Sequence, residues 1–187
     1  MGGAAKSGRI FSFVKKNDIG GFEYLGKLPG TLGGLIRMNA GMKEDEIFNR
    51  LISLKTVRGE LSKSEIGHGY RYTDLDEIVF EATFRIEHGF DANKLALFTR
   101  MRANQPSDPS PGSAFKNPQG DYAGRLIEAV GMKGYRIGDA AFSPRHANFL
   151  VNLGNATFDE AYALMEEARK RVFERFGIML EREVQIV

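Results

Sequence analysis

The chain has 187 residues, enough for one sizeable core or two small ones, and 42% hydrophobic with 27% charged residues is ordinary globular composition. A net charge of +2 gives no electrostatic support to a nucleic-acid role, and the absence of cysteine removes disulfides, thiolate metal sites and thiol nucleophiles. His68, His88 and His146 are widely spaced, so no metal site is expected; no apolar run approaches the roughly 20 residues of a membrane span and no signal peptide is read, so the expected compartment is the cytoplasm.

Residues 1 to 5 lead straight into a helical pattern with Ile10, Phe13 and Val14 on one face. Leu28-Pro29-Gly30-Thr31-Leu32-Gly33-Gly34-Leu35 follows. Its glycines clear side chains from a tight path, and Thr31 can cap the next helical turn. Exposed N–H groups there would suit an anion such as a phosphate; a purely structural turn is the competing reading. Asn39-Ala40-Gly41 reads as a helix C-cap. Residues 51–57 and 78–86 read as strands, with a short polar helical turn at 62–66 between them. Two strands ahead of any long helix imply antiparallel pairing. Asp91 caps a helix reaching about Asn104, with Leu95, Leu97, Phe98 and Met101 as its apolar residues.

A loop with Pro106, Pro109, Pro111 and Pro118 marks a boundary, giving domains over 1–104 and 105–187. Within it, Gly112-Ser113-Ala114-Phe115-Lys116-Asn117-Pro118 puts a hydroxyl, an ammonium and a carboxamide within five residues. This is either a loop that caps the next helix or a polar cluster serving a site. A helix over 122–130 follows, then short strands at 136–138, 140–142 and 148–152. Thr157 and Glu160 form a capping-box pattern for a long helix whose stripe is Phe158, Ala161, Met165, Ala168, Val172 and Phe176. Glu166, Glu167, Arg169, Lys170 and Arg171 form its solvated side, Gly177 ends it, and 178–187 reads as a closing strand. The expected fold class is α+β in both domains.

These motifs, taken in order, resemble the UDP-N-acetylenolpyruvoylglucosamine reductase family. The residues that carry the resemblance begin with Leu28 to Gly34, Met38-Asn39-Ala40-Gly41 and Gly69-Tyr70-Arg71. They continue through Gly112 to Pro118, Ala123 to Glu128, His146-Ala147-Asn148-Phe149 with Val151-Asn152, Asn155-Ala156-Thr157, and Phe176 to Val184. The resemblance covers nearly the whole chain and implies a cytoplasmic, monomeric flavoenzyme without nucleic-acid or membrane partners. NADPH reduces bound FAD, and a hydride then passes to the enolpyruvyl ether of UDP-N-acetylglucosamine, giving UDP-N-acetylmuramate for peptidoglycan.

The resemblance makes Arg71, Ser113 and Glu183 catalytic. Arg71 offers a permanent forked cation to the carboxylate on which charge develops. Ser113 gives a proton to the adjacent carbon, and a protonated Glu183 would hydrogen-bond the enolate. Pro29, Gly30, Thr31, Gly33 and Gly34 match the flavin-side loop, and Lys116, Asn117, His146 and Asn148 match substrate contacts. Without the resemblance, Arg71 reads as a surface cation, Ser113 as a turn hydroxyl, Glu183 as a solvated strand residue and His146 as a structural histidine.

Two departures follow from the same comparison. Nothing in residues 1 to 30 matches the family's Gly-Gly-Gly-Ser-Asn-type phosphate loop, so the expectation is a second flavin-binding lobe without its first, followed by the substrate-binding domain. Residues 86–112 are too short for the inserted tyrosine-bearing loop of one subclass, which points to the shorter subclass. The alternative reading is a non-catalytic fragment that binds the UDP-sugar without holding FAD.

Overall fold

The computed structural model describes residues 1–186, and the chain divides into two compact units, Met1–Ala103 and Asn104–Val187. Each is described by itself.

The first unit opens with Met1 to Gly3 lying antiparallel along a strand edge, where the Gly3 N–H donates to the Phe80 carbonyl at 2.7 Å. A Cβ on Gly3 would stand 1.8 Å from the Val79 carbonyl oxygen, so only glycine allows this approach. Helix α1 (Ser7–Lys16) buries Ile10 and Val14. Phe13, expected on that face, is 57% exposed, because the buried stripe is only one residue wide at each turn. A 3-10 turn (Glu23–Gly26) then places Phe22, Tyr24 and Leu25 in the core. Buried Glu23 accepts the N–H groups of Gly21 and Asp91 at 2.8 and 2.9 Å, so a carboxylate stitches the turn to the start of a later helix.

Helix α2 (Leu32–Arg37) starts at Thr31, whose hydroxyl accepts the Gly34 N–H. It ends in a Schellman arrangement: Ala40 N–H donates to Leu35 O and Asn39 N–H to Ile36 O, with Asn39 left-handed at φ 40°. Strands β1 (Gly41–Met42) and β2 (Asp45–Glu46) form a small hairpin. Strands β3 (Leu51–Thr56), β4 (Gly59–Ser62) and, later, β7 (Val79–Phe84) build an antiparallel sheet in the order β4-β3-β7. The polar segment after β4 is one 3-10 turn (Lys63–Glu65) under a Ser62/Glu65 capping box. Strands β5 (His68–Gly69) and β6 (Tyr72–Thr73) form a second hairpin.

Helix α3 (Ala92–Met101) is capped by Asp91, which accepts the Asn93 and Lys94 N–H groups. It stops three residues short of Asn104 and buries only Phe98, so Leu95, Leu97 and Met101 belong to its partly or fully exposed faces.

The second unit contains β8 (Gly112–Ser113), α4 (Ala123–Ala129), β9 (Arg136–Ile137), β10 (Ala140–Phe142), β11 (Phe149–Asn152) and α5 (Phe158–Phe176). The strands form an antiparallel sheet in the order β8-β11-β10-β9. Helices α4 and α5 supply Leu126, Ile127, Leu164, Met165, Ala168 and Val172 to its core, with Phe115 and Phe142 from the sheet side. The Thr157/Glu160 capping box is formed, and Gly177 ends α5 at φ 68°. Phe158 sits 59% exposed ahead of the core stripe, beside Tyr162.

The closing strand expected over 178–187 is not formed in the described residues. One bridge joins Phe115 to Arg182, flanked by Lys116 N–H to Glu181 O and Glu183 N–H to Ala114 O, both 2.9 Å. Phe115 to Asn117 leave the sheet to start α4, so the C-terminal segment meets an extended partner for only three residues. Val187 lies outside the described residues.

Candidate active site

The second unit brings most of the expected polar residues together through its backbone. Ser113 pairs with Phe149, and the Ala114 N–H donates to Asn148 O at 2.7 Å. The Ala114 carbonyl, on the other side, accepts the Glu183 N–H. A half-buried hydroxyl and a half-buried carboxyl therefore lie on adjacent extended segments, one residue out of step.

Lys116 is held by the same C-terminal segment. Its Nζ donates to Glu181 Oε1 at 2.6 Å, with the lysine side chain 17% and the glutamate side chain 72% exposed. The pair fixes the ammonium at the edge of the unit, and a carboxylate this exposed gives it up easily to another anion. Glu181 has no sequence signal of its own.

Asn117 and Asn148 have structural work. Asn117 Oδ1 accepts the Ala123 N–H at 3.1 Å and so caps the first turn of α4. Asn148 is 4% exposed; its Oδ1 accepts the Phe115 N–H at 3.1 Å and its Nδ2 donates to the Phe115 O at 2.7 Å. Both ends of that amide are engaged on one residue's backbone, so Asn148 clamps the segment that follows Ser113.

His146 packs edge-on against Phe149 at 4.9 Å, and its Nδ1 accepts the Asn148 N–H at 3.3 Å. The neutral ring thus carries its proton on Nε2, where it can donate. Burial pushes its pKa below the usual histidine value. Gly124 on α4 makes room for this ring, since a Cβ there would lie 3.2 Å from His146 Cε1.

In the first unit, Arg71 and the 29–34 loop stand at opposite ends of α2, about 9 Å of helix apart. Arg71 occupies the turn between β5 and β6 at φ 53°. Its guanidinium donates to Gly41 O at 2.8 Å and Asn39 O at 3.5 Å, and lies over the Tyr70 ring at 5.2 Å. These carbonyls follow the C-terminus of α2, where a cation is favoured. Burial, and then the charge of Arg71, push the pKa of Arg102 down, so two guanidinium groups share one neighbourhood.

The N–H groups at the start of α2 do not stand open to an anion. Leu32 N–H donates to Ala5 O, Gly33 N–H to Gly3 O, and Gly34 N–H to the Thr31 hydroxyl. The N-terminal segment already fills the place a phosphate would take. What stays clear is the outer edge: Pro29, Gly30 and Thr31 are exposed, and a Cβ on Gly30 would meet nothing within 4 Å. The helix start is therefore closed to a diphosphate, and only that exposed edge is left open. Among the described residues no group of three or more His, Cys, Asp or Glu could hold a metal ion, and no helix is long and apolar enough to cross a membrane.

A family profile described as the C-terminal domain of UDP-N-acetylenolpyruvoylglucosamine reductase matches residues 105–187. The reductase of that name from Campylobacter jejuni RM1221 is 51% identical over 187 residues, covering 100% of this chain and 72% of the relative. The Helicobacter hepaticus reductase is 51% identical over 188 residues, covering 100% of this chain and 71% of its own length. The crystal structure of the UDP-N-acetylenolpyruvylglucosamine reductase from Thermus caldophilus superposes with a TM-score of 0.86 at 32% identity, covering 96% of this chain and 69% of that one. The likeness extends through both units, and the chain belongs to the UDP-N-acetylenolpyruvoylglucosamine reductase family.

Proposed function

We propose that the chain reduces the enolpyruvyl ether of UDP-N-acetylglucosamine to UDP-N-acetylmuramate, an oxidoreductase step of peptidoglycan precursor synthesis carried out in the cytoplasm by a monomer. The observation that carries this reading is the shared Ala114 strand, which sets the Ser113 hydroxyl and the Glu183 carboxyl on neighbouring segments inside a chain of this family. FAD, reduced by NADPH, would supply the hydride, and Pro29, Gly30 and Thr31 would hold it from their exposed edge. Exposed Gly34 contributes by keeping that edge free of a side chain, and Gly33 by letting the Gly3 segment pack against the helix start.

Arg71 offers two donors to the substrate carboxylate, which takes up charge as hydride reaches the double bond. Ser113 donates the proton to the neighbouring carbon, and Glu183 hydrogen-bonds the developing enolate. Lys116 exchanges its Glu181 partner for an anionic group of the nucleotide-sugar, and the His146 Nε2–H and the Asn117 carboxamide supply neutral contacts. The relatives bear the reductase name across the whole of this chain, which favours the enzyme over a non-catalytic binding fragment.

The test is spectroscopic. The purified protein, supplied with FAD, is expected to bleach at its flavin band on adding NADPH and to recover anaerobically only when the enolpyruvyl UDP-sugar is added. A protein that stays colourless yet binds the UDP-sugar by calorimetry overturns the reading in favour of the fragment.

A further inference from the structure

Arg71 sits in a conformation that costs free energy. Gly69 pairs with Tyr72, so Tyr70 and Arg71 alone make the turn, and Arg71 takes the left-handed region at φ 53°. A residue with a side chain pays about 1–2 kcal/mol there. Something must hold the turn in place.

The holding group is Asn39, which is 0% exposed. Its Nδ2 donates to Glu46 Oε2 at 2.8 Å and to Gly69 O at 2.9 Å, and its Oδ1 accepts the Phe48 N–H at 3.3 Å. Two acceptors and one donor around the amide leave it a single orientation, because a flipped amide would turn its oxygen toward a carboxylate and a carbonyl. The Asn39 backbone carbonyl in turn accepts from the Arg71 guanidinium. One residue thus grips the turn just before Arg71 through its side chain and the cationic head through its main chain. Its own left-handed φ of 40°, tolerated by asparagine, aims both. Arg37, the last residue of α2 and two positions before Asn39, adds a brace by donating to Thr73 O at 2.8 Å on the far strand of the hairpin.

We propose that Asn39 is a positioning residue for the reaction, orienting Arg71 toward the substrate carboxylate. The inference rests on the assignment of Arg71 to that carboxylate. It predicts an effect confined to the carboxylate, which general weakening of the unit would not produce.

The experiment compares calorimetric affinities for UDP-N-acetylglucosamine enolpyruvate and for UDP-N-acetylglucosamine, which lacks the carboxylate. In Asn39→Asp the two-hydrogen donor becomes an oxygen facing Glu46 and Gly69. The ratio of affinities is expected to fall by about tenfold, the size of one charge-assisted hydrogen bond, with binding of UDP-N-acetylglucosamine unchanged. In an Arg71→Ala background the same substitution is expected to change nothing further. An unchanged ratio, an equal loss for both ligands, or additive losses would each overturn the proposal. Should Asn39→Asp not fold, Glu46→Ala removes one acceptor at the half-buried rim and is read by the same ratio, with a fall of about threefold expected and no fall overturning. A ratio lost in Arg71→Ala but kept in the Asn39 and Glu46 variants sinks this inference alone; a ratio kept in Arg71→Ala sinks the role of Arg71 as well.

Discussion

Arg71 and Ser113 are held by opposite strategies. Arg71 stands at a turn in a left-handed conformation, secured by a buried amide and by carbonyls beyond a helix end. Ser113 stands in an ordinary antiparallel strand, secured by backbone ladders on one side and an asparagine clamp on the next residues. A long charged side chain reaches its target from a turn and needs bracing at both ends. A short hydroxyl has no reach, so its backbone must be placed correctly from the start. The difference lies in side-chain length, and it sets which substitutions damage which residue.

The largest expected effect is on chemistry. Ser113→Ala should slow reoxidation of the reduced flavin by substrate by about 10²–10⁴-fold while leaving reduction by NADPH intact, as stopped-flow absorbance can check. Wild-type reoxidation in that variant would remove Ser113 from the mechanism. The next effect tests the clamp. Asn148→Ala leaves the buried N–H and C=O of Phe115 without partners and should lower stability by about 2–4 kcal/mol in a denaturant titration.

A smaller effect separates the two backbones by sign. At position 71, glycine should be more stable than alanine by about 1 kcal/mol, since alanine keeps the left-handed penalty. At position 113 the order should reverse, with Ser113→Gly below Ser113→Ala by about 0.5–1 kcal/mol. The same order at both sites would mean that the turn is not strained. The smallest effect is pH-dependent. Burial lowers the pKa of His146, so below about 6.5 the unfolded chain binds more protons than the folded one and stability falls as the solution is acidified. His146→Gln should flatten that part of the stability profile in melts at successive pH values.

What was legible in the sequence was local. Thr157 and Glu160 cap α5, Asp91 caps α3 and Gly177 ends α5 because each acts within one helical turn of its own position. The α+β class followed from strands whose alternation needs no partner to be seen. Tertiary work was hidden. Asn39 reads as part of a helix C-cap and Asn148 as the start of a strand, and only distant partners reveal them as buried amides with both polar atoms engaged. The segment after Gly177 has strand-like residues, but a strand also needs a continuous neighbour, and Phe115 to Asn117 turn away too soon. The Gly33 and Gly34 N–H groups looked available because nothing in their neighbourhood along the chain shows that Gly3 takes one of them. The helical stripes erred at Phe13 and Phe158, where a period of 3.6 cannot say how wide the buried face is.

The strand order β8-β11-β10-β9 also has a consequence in time. β9, β10 and β11 follow one another along the chain and pair as neighbours, so they close through short loops and form early. β8 joins β11 from 36 residues away at the Ser113–Phe149 pair, and Lys116 meets Glu181 across 65 positions. The meander is therefore expected to assemble first, with the segments bearing Ser113 and Glu183 docking onto it afterwards. During refolding, the Ala114 and Glu183 amides should gain protection from hydrogen exchange later than the Phe142 amide, so the second unit is folded before it is armed.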